Sequence, residues 1–131
     1  MPSQGFLLDT NALIDTSIRP ERLGKKSKYL IQNSPKLYFS PVSIAEIEIK
    51  TMGQKFNMAE QIYKDIKSLD IKELPFDSNQ ALAIARFEQL HGHDPFDRLL
   101  LSQAAAENLE FITSDERLLK LDLAWISDSG S

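Results

Sequence analysis

The run Gly5-Phe6-Leu7-Leu8-Asp9-Thr10-Asn11 restricts most what this chain can become. Neighbouring side chains of a strand point to opposite faces, so consecutive apolar residues require a strand covered on both sides. Such strands belong to parallel sheets with helices laid over both faces. In open sheets of that kind the ligand crevice lies beyond the carboxyl ends of the strands, which is where Asp9 falls. Asp9 or Thr10 equally suits the cap of a helix starting near Ala12. The other acids decide between a site and a cap.

Alternating patterns continue along the chain. A short helix over Ala12-Leu13-Ile14 is followed by a second, begun by Pro20 and stopped near Asn33-Ser34-Pro35. Lys36 to Ser40 reads as a strand, and Ser40 with Pro41 opens a helix running to about Gly53. Met58 to Leu69 is helical, its Ile62, Ile66 and Leu69 suited to the core or to a subunit contact. Ile71 to Leu74 is a strand. Asp77 or Ser78 caps a helix with apolar positions at Ala81, Leu82, Ala85 and Leu90, ended by His91-Gly92. Asp94-Pro95-Phe96-Asp97 starts a helix to about Asn108, and Leu109 to Thr113 is a buried strand. Ser114 caps a short helix through Leu121, Leu123 to Ile126 is a last strand, and Ser127 to Ser131 is a frayed tail. Strands alternating with helices, without repeats or long linkers, indicate one α/β domain over residues 1–126 around a mostly parallel sheet.

A chain of 131 residues can bury an ordinary core. It has no cysteine, which removes disulfides and thiolate metal sites and is compatible with a reducing cytoplasm. No run approaches the roughly 18 apolar residues of a membrane span, and the start lacks a basic-then-apolar signal pattern, so a cytoplasmic protein is expected. A net charge of −4 argues against nucleic-acid binding by bulk charge alone. It leaves room for a nuclease, because acids gathered around a divalent cation reverse the local sign. Arg19, Arg22, Lys25, Lys26 and Lys28, opposed only by Glu21, form either a solvated face or a phosphate contact. Arg98 is a further candidate contact.

Asp9, Asp97 and Asp115 each fall at a strand end or helix start, places that share one rim of such a sheet. Glu46 joins them from within the stripe of Val42, Ala45 and Ile49, while Asp97 shares a face with Leu100, Leu101 and Ala104. Each acid also fits a helix cap. Converging, with no lysine or arginine reserved between them, they would repel one another unless hard divalent cations intervened. Oxygen-only ligands suit Mg²⁺ or Mn²⁺ and disfavour zinc. Such a site supports phosphodiester hydrolysis, with a metal-bound water as nucleophile. Asn11, Thr10, Thr113 and Ser114 are polar neighbours able to orient a carboxylate or water. His91 and His93 read as a surface turn, and no nucleophile lies near them for a triad.

In this order, Leu7-Leu8-Asp9-Thr10-Asn11, Ser43-Ile44-Ala45-Glu46, His93-Asp94-Pro95-Phe96-Asp97-Arg98-Leu99-Leu100 and Thr113-Ser114-Asp115 resemble the signature of PIN-domain ribonucleases. The branch they look most like is the VapC-type toxins of toxin–antitoxin pairs, and the resemblance spans Phe6 to about Ile126. It implies a three-layer α/β/α domain with a small parallel sheet, in which Asp9, Glu46, Asp97 and Asp115 hold Mg²⁺ or Mn²⁺ and Asp94 flanks them. It further implies a homodimer, cleavage in single-stranded regions of RNA, and a VapB-like antitoxin that blocks the cleft. The rival readings are a metal-binding regulatory or RNA-binding module without catalysis and, more weakly, a phosphoacceptor receiver domain.

Overall fold

The structure is a computed structural model that describes residues 5–131. At its centre lies β1 (Phe6–Leu8), paired with β2 (Leu37–Phe39) on one side and β4 (Glu110–Thr113) on the other. Outside these lie β3 (Lys72–Glu73) and β5 (Ile126–Asp128), giving a fully parallel sheet in the order β3-β2-β1-β4-β5. The central strand is covered on both faces, as its sequence demands. Leu8 and Ile112 pack with Leu37, Phe39, Ile47, Ile62 and Ile66 in one cluster. Leu7 and Phe111 pack with Leu90, Leu100, Leu101 and Leu118 in the other. Alternation of side chains along each strand thus builds two cores from one sheet.

Helices α1 (Thr10–Ile18), α3 (Pro41–Lys50) and α4 (Met58–Ser68) supply the first core's cover. Ile62 and Ile66 are buried there, whereas Leu69 is exposed. On the opposite face lies α6 (Pro95–Ala106), with the short α7 (Glu116–Leu119) beside it. Gly5 is required just ahead of β1, since a Cβ there would come within 2.4 Å of the Lys36 carbonyl oxygen.

Several boundaries depart from the sequence reading. Pro20 starts only a 3-10 turn, Pro20–Arg22, which buries Leu23; Gly24 then extends the chain, and α2 (Lys25–Asn33) begins afresh. The helix expected up to His91 is regular only over α5 (Ser78–Leu82), opened by an Asp77 capping box. Ala83–Leu90 is 3-10, with non-helical backbone at Phe87 that places this buried ring edge-on to Trp125, 6.1 Å between centroids. Leu82, on the expected apolar face, is instead 77% exposed.

The largest difference is at the C-terminal end. The last strand lies over Ile126–Asp128, and the tail expected to fray is held down. Ser129 is buried; its N–H donates to the Thr113 carbonyl (2.8 Å) and its carbonyl accepts from Gly24 N (3.0 Å). Ser131 accepts from Ser27 N at 3.0 Å. Among the described residues no helix is long and apolar enough to cross a membrane.

Candidate active site

Connections from β1 pass to β2 on one side while β4 lies on the other, so the carboxyl ends of β1 and β4 diverge at a topological switch point. Asp9 ends β1 there, its N–H donating to the Ile112 carbonyl at 2.9 Å. The side chain is buried and caps α1, with Oδ1 accepting from Ala12 N at 2.7 Å. Its other oxygen accepts from the Thr113 hydroxyl. Thr113 Oγ1 in turn accepts from Asp115 N at 3.0 Å, so one buried threonine joins two of the acids. Asp115, rather than Ser114, caps α7, accepting from Arg117 N at 2.8 Å. Capping and site placement are therefore the same geometry.

Glu46 enters from α3. It is buried on a stripe with Ser43 and Ile47, while Ala45 and Ile49 face solvent, so the expected stripe is rotated. The Thr10 hydroxyl donates to Glu46 Oε1 at 2.6 Å and lies 3.0 Å from Ser43 Oγ. Lys50, one turn along, donates to Glu46 Oε2 at 2.5 Å and reaches Asp94 Oδ2 at 3.5 Å. The expectation that no lysine stands among the acids is thus wrong. The signal was present in the sequence, because a Glu followed four residues later by Lys shares a helix face. Asp94 is fixed as the cap of α6, accepting from Phe96 N at 2.8 Å.

Asp97 sits in the first turn of α6, above the buried Leu100, Leu101 and Ala104. No hydrogen-bond or ion-pair partner reaches its carboxylate among the described residues. Burial pushes its carboxyl up to about 7, helped by the negative charges of Asp115, Asp94 and Glu46 and opposed by Lys50. Asp9 also rises to about 7, chiefly by burial, with Asp97 and Asp115 adding to the rise and its bonds from Thr113 and Ala12 resisting it. Lys50 is raised, first by its bond to Glu46. Asp9, Glu46, Asp94, Asp97 and Asp115 are therefore one electrostatic group.

Other candidates fare differently. Asn11 and Ser114 are exposed and bond to none of the acids; Thr10 and Thr113 hold the carboxylates instead. Arg19 is taken by the buried Asp15, Nε to Oδ1 2.9 Å, and is not a free phosphate contact. Arg22, Lys25, Lys26 and Lys28 are exposed, and the bonds of Gly24 and Ser27 to the tail bring them toward the carboxyl ends of β4 and β5. Arg98 is half-buried beside Ile84, Pro95 and Leu99. His91 and His93 flank Gly92 in the turn ahead of α6.

Among the described residues no three Asp, Glu or His side chains form a set that could hold a metal ion. Magnesium seldom asks for a full set of protein ligands: it keeps several waters and takes one or two carboxylates. The donors here are carboxylate oxygens, two of them raised to about 7 by burial and by neighbouring acids, which fits a hard divalent ion.

Sheet order and acid rim together define a parallel α/β domain with a carboxylate site at its switch point. A family model described as PIN domain matches residues 6–123, and the chain belongs to the PIN-domain family. No curated protein matches it in sequence. Among solved structures, VapBC2 from Rickettsia felis, bound to a promoter DNA fragment, aligns with TM-score 0.71 at 15% identity over 95% of this chain and 98% of the other. VapBC-1 from nontypeable Haemophilus influenzae aligns with TM-score 0.70 at 19% identity, covering 98% and 100%. VapBC-5 from Mycobacterium tuberculosis, of a toxin–antitoxin family, aligns with TM-score 0.61 at 21% identity, covering 97% and 98%.

Proposed function

We propose that this chain is a Mg²⁺- or Mn²⁺-dependent endoribonuclease, the VapC-type toxin of a toxin–antitoxin pair, cutting single-stranded regions of RNA. The observation that carries the reading is the acid group at the switch point, where burial, together with the charge of neighbouring acids, raises the carboxyls of Asp9 and Asp97 to about 7. Asp9, Asp97 and Asp115 are the residues that would hold the ion, and Glu46 adds its charge to the same acid group. A bound divalent ion supplies a water of lowered pKa and charge stabilisation for the phosphate.

The chain's own residues do the positioning. Thr113 fixes Asp9 and Asp115 relative to each other, and Thr10 fixes Glu46. Capping of α1, α6 and α7 by Asp9, Asp94 and Asp115 ties the acids to rigid helix starts rather than to loops. Exposed Arg22, Lys25, Lys26 and Lys28 offer phosphate contacts along a strand leaving the site. Fold likeness to VapBC structures supports a VapB-like antitoxin as partner, and the family resemblance implies a homodimer.

The test is cleavage of labelled single-stranded RNAs, tRNAs and ribosomal RNA fragments in Mg²⁺, Mn²⁺ or EDTA, beside an Asp9→Asn, Asp97→Asn double variant. Metal-dependent cuts that disappear in the variant are expected. Cuts that persist in EDTA or in the variant would overturn the reading, and metal and RNA binding without cleavage would favour a binding module.

A further inference from the structure

Lys50 is not among the groups that would hold the ion. Its side chain is 55% exposed and could extend into solvent, yet its ammonium lies 2.5 Å from Glu46 Oε2 and 3.5 Å from Asp94 Oδ2. Both partners are immobile. Glu46 is held through its other oxygen by Thr10 at 2.6 Å, and Asp94 by the start of α6. The ammonium therefore occupies the place that a cation bridging Glu46 and Asp94 would take.

We infer that Lys50 is a resident second cation, so that the site takes one divalent ion, among the carboxylates that Lys50 leaves free, instead of two. This rests on the metal-dependent reading of the site. Two-ion nuclease sites hold their ions about 3.5–4 Å apart on shared carboxylates. Here one side of the acid group already faces an ammonium, and Glu46 has one oxygen on Lys50 and the other on Thr10. A divalent ion added there would meet the ammonium's like charge. An ammonium has three donors, and Glu46 and Asp94 engage two of them. The third is left for a phosphate oxygen, which is the charge-stabilising contact a second ion would otherwise make.

The experiment counts Mn²⁺ bound per chain at pH 8, by calorimetry and native mass spectrometry, for wild type, Lys50→Met and Lys50→Arg. Cleavage is followed against Mn²⁺ concentration in parallel. Wild type and Lys50→Arg should bind one ion, with first-order dependence of rate on Mn²⁺. Lys50→Met, of similar length but uncharged, should admit a second ion. Its cleavage should fall on the order of a hundredfold at low Mn²⁺ and recover at high Mn²⁺ with second-order dependence. Two ions of similar affinity in wild type, or one ion and unchanged order in Lys50→Met, would overturn the inference while leaving the nuclease intact. No ion and no cleavage in any form would instead overturn the nuclease reading, and this inference with it.

Discussion

Replacing Asp9 with asparagine should stabilise the metal-free protein at alkaline pH while abolishing cleavage. The Asp9 carboxyl is held at about 7 in the fold against an ordinary 3.8. A carboxyl with a raised pKa binds its proton more tightly in the folded state. Stability from this group is therefore fully present below about pH 4 and is lost as pH climbs through 7. From the two values, ionisable Asp9 costs about 4 kcal/mol at pH 8 and a little under about 2 kcal/mol at pH 5. Asparagine cannot ionise. Its carbonyl can still cap Ala12 N, and its amide can donate to Thr113 Oγ1, so little else is lost. Urea unfolding in EDTA should show the variant gaining on wild type by about 2–3 kcal/mol more at pH 8 than at pH 5. Asp97 acts in the same direction, but it is half-exposed, so its share is screened and persists in the variant as a residual slope. Saturating Mg²⁺ at pH 8 should narrow the gap, because the ion stabilises only the wild-type site. An equal stability difference at both pH values would refute the electrostatic account.

The same shifts predict that metal binding expels protons: near pH 7, calorimetry in buffers of different ionisation enthalpy should register on the order of one proton released per ion, falling toward zero by pH 9. Thr113→Val should cost about 1–3 kcal/mol by leaving buried partners unmet, and should weaken Mn²⁺ binding in titrations as Asp9 and Asp115 lose their common anchor. Lys25→Glu with Lys26→Glu should leave Mn²⁺ binding intact. In filter-binding assays with a cleavage-dead protein it should weaken RNA binding and flatten the log K against log salt slope by about 0.7 or more for every phosphate no longer neutralised.

Much of this was legible in the sequence because certain residues do two jobs at once. Asp9, Asp94 and Asp115 look like helix caps, and they are; the cap geometry is what delivers them to the carboxyl ends of the strands. Phe6-Leu7-Leu8 required covering on both faces, and the two cores follow from it. What escaped depended on contacts between distant segments. The break at Phe87 exists because its ring packs on Trp125, far along the chain, and no local propensity encodes that. The tail looked frayed because serine and glycine carry no apolar signal, yet backbone bonds to Thr113 and Gly24 need none. Lys50 was passed over because charge was judged along the chain, where it is just one more surface cation. The spacing of four residues pairs it with Glu46, but only the fold brings Asp94 to the same ammonium.

Thr113 connects these observations. Its hydroxyl spans Asp9 and Asp115, and its carbonyl accepts from Ser129 N; the Ser129 carbonyl then accepts from Gly24 N, at the entrance to the basic α2. The acids that would hold the ion and the lysines that would hold the RNA backbone are thus joined by a chain of hydrogen bonds through one side chain and one short tail. A strand of RNA bound along α2, as proposed, would have its register to the acids set by that chain. Proximity and orientation are worth several kcal/mol only when such registers are fixed. On the proposed function, the cost of crowding five acids and a lysine on one rim would fall on the metal-free protein, and an ion bound there would recover it at the point where substrate is aligned.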